Sequence, residues 1–199
     1  MGDLDPIDDL ESIFEEPEPA PVATSGLELE PLPDTRLGGL VSEFLTLDHR
    51  RVHRNPPLDP QEAQHLAELH ELLAFEFGEV SPPLAGSRRA SLRVPTQLKV
   101  NTVGGAETIA NLCSLSQGGA FIETSDALGV GTSMEFSIDP GNGASSLQIA
   151  ATVKWVREIA NLDGPAGVGV EFEGIEDDDF IAIEKLVARA LYARAREAA

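Results

Sequence analysis

The sequence predicts a mainly-β protein with helical appendages: antiparallel strands closing as a barrel or a sandwich, an αα-hairpin before them and one helix after them. Three observations predict it. From Val94 onward the spacing of apolar residues switches from a period near 3.6 to a period of 2. Six strand-like runs rich in Val, Ile, Thr and Phe then follow within roughly 80 residues, separated by glycine and proline turns with no helix between them. Amphipathic stripes of helical period lie on both sides of that block.

Residues 1–36 read as a disordered acidic tail. They carry eleven acidic residues against one basic, with prolines at 6, 17, 19, 21, 31 and 33, too little apolar surface to offset the entropy of ordering. Within it Ile7, Leu10, Ile13 and Phe14 recur at helical spacing, so the tail is either a solvating segment or one that folds into a partner's groove.

Residues 37–80 predict the hairpin. Leu40, Val41, Phe44 and Leu47 share one face of its first helix. The second opens with Asp59 as N-cap, Pro60 at the first helical position and Glu62 three residues after the cap, a capping box. Leu66, Leu69, Leu72, Leu73 and Phe77 form its stripe, and Gly78 is placed to end it. Such a hairpin serves as a dimerisation or docking element. Residues 81–87 read as a linker, and residues 88–199 as the β unit with its helix.

The runs "TQLKVNTV", "ETIANLCSL", "GAFIETS", "TSMEFSI", "SSLQIAATVKWVRE" and "AGVGVEFEG" are the six strands. In the closing helix Phe180, Ile183, Leu186, Val187, Ala190 and Leu191 make the apolar face. Acidic residues crowd its start, and Arg189, Arg194 and Arg196 its end, as the helix dipole favours.

Composition narrows the function. The 199 residues carry a formal net charge of −20, which opposes binding to nucleic acid or to an anionic membrane. No apolar run is long enough to span a bilayer, and "MGDLDPIDDLESIFEE" lacks the basic and apolar regions of a signal peptide. The single cysteine, Cys113, precludes an internal disulfide and reads as a small buried apolar residue. A cytoplasmic chain is expected. Trp155 reads as barrel core or wall. His49 and His53, four apart on a helix, have a metal-compatible spacing, but no carboxylate pattern accompanies them and they read as a solvated face. His65 and His70, five apart, do not share a face well. No nucleophile–base constellation and no phosphate loop appears, so no enzyme and no metal or cofactor is expected.

Against this acidic background three of the fourteen basic residues, Arg88, Arg89 and Arg93, fall within six positions. Alone they read as a solvated basic linker, or one that docks the acidic tail. The turn "SLSQGG", Ser114 to Gly119, is rich in hydroxyls and glycine. "RRASLRVP" followed by "SLSQGGAFIET" resembles the PilZ family of small bacterial β-barrels, whose signature is R-x-x-x-R followed by [D/N]-x-S-x-x-G. Arg89 and Arg93 match the first part, Ser116 and Gly119 the second, and "GVGTSMEFSI", "ATVKWVRE" and "GVGVEFEGI" fit the surrounding pattern. The resemblance covers about residues 87–192 and is closest to the paralogues of myxobacterial type.

It implies a six-stranded antiparallel PilZ-like β-barrel that binds cyclic di-GMP and relays second-messenger level to a protein partner in motility, polysaccharide or related behaviour. The residue chemistry agrees: a guanidinium fork matches the O6/N7 edge of guanine and grips phosphate oxygens. Ser116 can donate a hydrogen bond, and Gly119 leaves room for a flat base. Arg88 would add a contact. Ser114 departs from the family pattern, standing where an Asp or Asn would accept two hydrogen bonds from guanine; losing such a pair costs roughly 1–3 kcal/mol. Asn111 is out of register to replace it. The alternative is a degenerate PilZ-like adaptor, nucleotide-free, working through its hairpin and tail, as a monomer or a homo-oligomer.

Overall fold

A computed structural model of the chain describes residues 35–77, 91–103, 108–125, 128–140, 146–162 and 164–198. The expected tail apart from Thr35 and Arg36, the terminator Gly78, the linker 81–87, and Arg88 and Arg89 lie outside the described residues.

Helix α1 spans Arg36–His53 and α2 spans Pro60–Glu76. The first starts at Arg36 because Thr35 caps it, its hydroxyl accepting from Gly38 N at 3.1 Å. The capping box on α2 is formed. Asp59 Oδ1 accepts from the amides of Gln61 and Glu62 at 2.8 Å, and Glu62 reaches back to Asp59 N at 3.0 Å. The same Glu62 takes both arms of the Arg50 guanidinium, at 2.6 and 2.9 Å, which ties the two helices together.

Six strands follow: β1 Val94–Val103, β2 Thr108–Ser116, β3 Gly119–Glu123, β4 Ser133–Ile138, β5 Leu147–Arg157 and β6 Gly167–Glu173. All pairings are antiparallel, and the order β1-β2-β3-β6-β5-β4 closes on itself through β4 and β1. Of the two closures left open by the sequence the chain adopts the barrel. Its interior is filled by Leu112, Leu115, Ile122, Phe136, Ile138, Ile149, Val153 and Val168, each at most 1% exposed. Helix α3, Asp177–Glu197, lays Ile183, Leu186, Val187 and Leu191 against β1, β2 and α1. Val41, Phe44 and Leu47 of α1 and Leu66, Leu69 and Leu73 of α2 join the same apolar cluster, so the hairpin and the barrel share one core.

Register shifts interrupt the pairing at three places, between Pro95 and Leu98 of β1 and within β2 and β5, and the last two bend the period-2 pattern. In β2, Leu112 pairs with Ile122 but Ser114 pairs with Phe121, so Cys113 is an extra residue. In β5, Val153 pairs with Val170 but Trp155 pairs with Gly169, leaving Lys154 extra. Strict alternation would put Ser114 inside with Leu112, and Trp155 inside with Val153. Each bulge resets the alternation and turns its residue to the outer face.

Candidate ligand turn and its tether to the hairpin

The outer face made by these bulges is continuous. Along one row of neighbouring residues lie Pro95, Ser114, Phe121, Gly169 and Trp155. Trp155 lies flat across Gly169, where any Cβ would overlap the indole. Its ring stacks on Phe121 with centroids 4.9 Å apart and planes 17° from parallel. Phe121 is buried yet stands apart from the shared core. The Arg157 guanidinium lies over both rings, 4.9 Å from the Phe121 centroid and 5.4 Å from that of Trp155. Trp155 thus belongs to the barrel wall and faces outward. Phe121 and Arg157 are the residues that sequence reasoning missed; Gly169 opposite a tryptophan was the available signal.

Beside that row, β2 and β3 are joined by a two-residue turn, Gln117–Gly118, with Ser116 paired to Gly119. Ser116 is buried and donates its hydroxyl to Gly119 O at 3.0 Å, while Gly118 O accepts from Phe172 N at 3.0 Å. A Cβ at Gly119 would land on the carbonyl oxygen of Val170. The close approach of β6 by itself requires glycine here.

Val94 pairs with Leu115 and Pro95 with Ser114, so Arg93, the residue before β1, adjoins the end of β2. Ser114, Ser116 and Gly119 lie together where β2 turns into β3. Asn111 is committed elsewhere, accepting from Lys99 Nζ at 2.7 Å and donating to Glu123 at 2.8 Å. Burial, then the nearby Glu123 carboxylate, pushes the Cys113 thiol above its ordinary value.

Gln117, a variable position between the serine and the glycine, makes the longest-range contact of the turn. It is 8% exposed, donates through Nε2 to Asp48 Oδ2 at 2.7 Å and accepts on Oε1 from Arg51 Nη2 at 3.0 Å. Asp48 and Arg51 are themselves paired on α1 at 2.7 Å. A side-chain amide satisfied at both ends by an ion pair is a directional joint between turn and hairpin. Two concavities, of about 450 and 280 Å³, lie on the hairpin, and Arg51 lines the smaller one.

His49 and His53 are exposed, as expected of a solvated face, but a carboxylate accompanies them. His49 Nδ1 and His53 Nε2 lie 3.2 and 3.0 Å from the two oxygens of Glu184 on α3. The carboxylate that the local sequence lacked arrives from more than a hundred residues away.

A family model described as "PilZ domain" matches residues 87–189. Comparison with curated proteins gives no significant match. Sixteen solved chains match in structure. One is the Bacillus subtilis inhibitor of motility (MotI/DgrA), 21% identical with a TM-score of 0.43, over 52% of this chain and 51% of that one. Another is the PilZ domain of Escherichia coli YcgR with c-di-GMP, 18% identical with a TM-score of 0.39, over 56% of this chain and 95% of that one. A third is a Xanthomonas campestris protein described as a tetrameric PilZ domain self-assembled through a helical bundle. It is 15% identical with a TM-score of 0.31, over 80% of this chain and 78% of that one. The chain thus spans about half the length of the first of these structures. No helix among the described residues is long and apolar enough to cross a membrane.

Proposed function

The chain belongs to the PilZ family, and from that premise we propose that it is a cyclic di-GMP receptor whose hairpin reads the occupancy of the ligand turn. The nucleotide carries two guanines and two phosphodiester charges. Arg88, Arg89 and Arg93 would supply guanidinium forks to phosphate and to the guanine O6/N7 edge. Ser114, turned outward by the Cys113 bulge, would face a guanine, with the Phe121–Trp155 wall alongside. The observation that supports the reading is that Gln117, next to Ser116 in the turn and at the strand end that Arg93 adjoins, is bonded to α1. A ligand that draws the arginines over the turn would strain or release that joint, and the hairpin would pass the change to a protein partner. The family resemblance implies motility or surface polysaccharide as the output.

Calorimetric titration of the full chain with cyclic di-GMP tests this. Saturable heat is expected, with Arg93→Ala abolishing it and Ser114→Asp tightening binding by about one to two decades, the return of a bidentate pair. Trp155 is the one tryptophan, so its emission should change on binding. No heat at a protein concentration of about 100 µM, the weak end of useful affinity, would favour the second reading, a nucleotide-free adaptor. Two observations support that reading: Ser114 supplies a single short acceptor, and the Ser116 hydroxyl is already spent on Gly119 O.

A further inference from the structure

We propose that His49, His53 and Glu184 form a binding site for a first-row divalent transition metal, with Zn²⁺ the ion that fits best. The three donor atoms lie within 4.8 Å of one another. His49 Nδ1 lies 3.2 Å from one oxygen of Glu184 and His53 Nε2 lies 3.0 Å from the other, so a small rotation of the carboxylate brings one oxygen near the spacing of about 3.4 Å to both nitrogens that tetrahedral bonds of roughly 2.1 Å require. The third pair closes by rotation of the imidazoles, whose ring centroids are 4.3 Å apart.

The site is built rather than incidental. Glu184 is 18% exposed and follows the fully buried Ile183, so its carboxylate is fixed by the packing of α3. The histidines stand one helical turn apart on α1, both turned to that one carboxylate, and their exposures of 62% and 33% leave a path from solvent. Two imidazole nitrogens and one carboxylate oxygen suit Zn²⁺, and do not suit Mg²⁺ or Ca²⁺, which take oxygen ligands. A fourth position stays open to water. Coordination requires the tautomers with a lone pair on His49 Nδ1 and on His53 Nε2. The net charge of −20 draws cations to the surface. Because the ligands come from α1 and α3, the ion would staple the hairpin to the helix that covers the barrel.

The test uses tag-free, metal-stripped full-length chain titrated with ZnCl₂ by calorimetry. One ion per chain is expected, with a Kd on the order of 1 µM, a rise in Tm, slower amide exchange in the last turn of α1, and a tetrahedral visible spectrum with Co²⁺. His49→Ala, an exposed position that the fold tolerates, and Glu184→Gln should each weaken binding by at least ~100-fold, the upper end of what outer-shell changes cost. His65→Ala, which removes a histidine held by Glu43, should leave it intact. No heat and no Tm shift up to about 1 mM Zn²⁺, the weak end of specific affinity, would overturn the proposal. So would stoichiometric binding that survives both His49→Ala and Glu184→Gln.

Discussion

Around the barrel every strand has two antiparallel neighbours, and the side chains between them are excluded from water. The hairpin has no such ladder. Its two helices are held by caps, by the Arg50–Glu62 fork, and by an apolar face resting on α3. The barrel is stabilised by many interchangeable contacts, and the hairpin's geometry by a few irreplaceable ones. The two regions share one apolar core, so whether the hairpin can shift apart from the sheet is decided by the cooperativity of that core.

Phenylalanine truncation gives the largest contrast. Phe136, at 0% exposure in the barrel, and Phe44, at 3% in the hairpin, should each cost about 3–5 kcal/mol on truncation to alanine. Amide exchange should separate them. Phe136→Ala is expected to lower protection everywhere, and Phe44→Ala to strip α1 and α2 while β2, β3 and β6 keep theirs. Equal loss in both regions for Phe44→Ala would show the two to be one cooperative unit.

A smaller effect sharpens the contrast. Gln117→Ala should cost about 1–2 kcal/mol in a urea melt, since Asp48 and Arg51 keep each other when the amide is gone. Its exchange signature should fall on α1, and the barrel ladder should not change. Should cyclic di-GMP bind, this variant should keep the heat and lose the hairpin's response.

The mildest effect is with pH. The Arg50 fork, helped by the Asp59 amide, holds the Glu62 carboxyl below the usual carboxylate range. A depressed folded value contributes stability that is full above the unfolded pKa and disappears as pH falls through the lower folded one. Acidification should therefore loosen the α1–α2 contact before the barrel melts, visible as earlier loss of amide protection in α2. Arg50→Gln should flatten that dependence.

The elements were legible because their signals are local. Period-2 runs gave six strands, the Asp59–Glu62 box gave the start of α2, and the PilZ-like motif pointed to the family. What escaped was either non-local or hidden by a bulge. Nothing near Gln117 announces Asp48, 69 residues earlier, and nothing near His53 announces Glu184, 131 residues later. Ser114 and Trp155 each follow a plain alternation that a single extra residue reverses. Gly119 was read for ligand access alone because a glycine in a turn motif carries no mark of the strand that will lie across it.

Asp48 and Arg51 project from α1 toward the turn, while His49 and His53 project from another side of the axis toward α3. A rod pinned at two bearings on its circumference cannot spin. Rotation that eases one pin loads the other. Whatever acts on this helix must therefore slide or tip it rather than turn it.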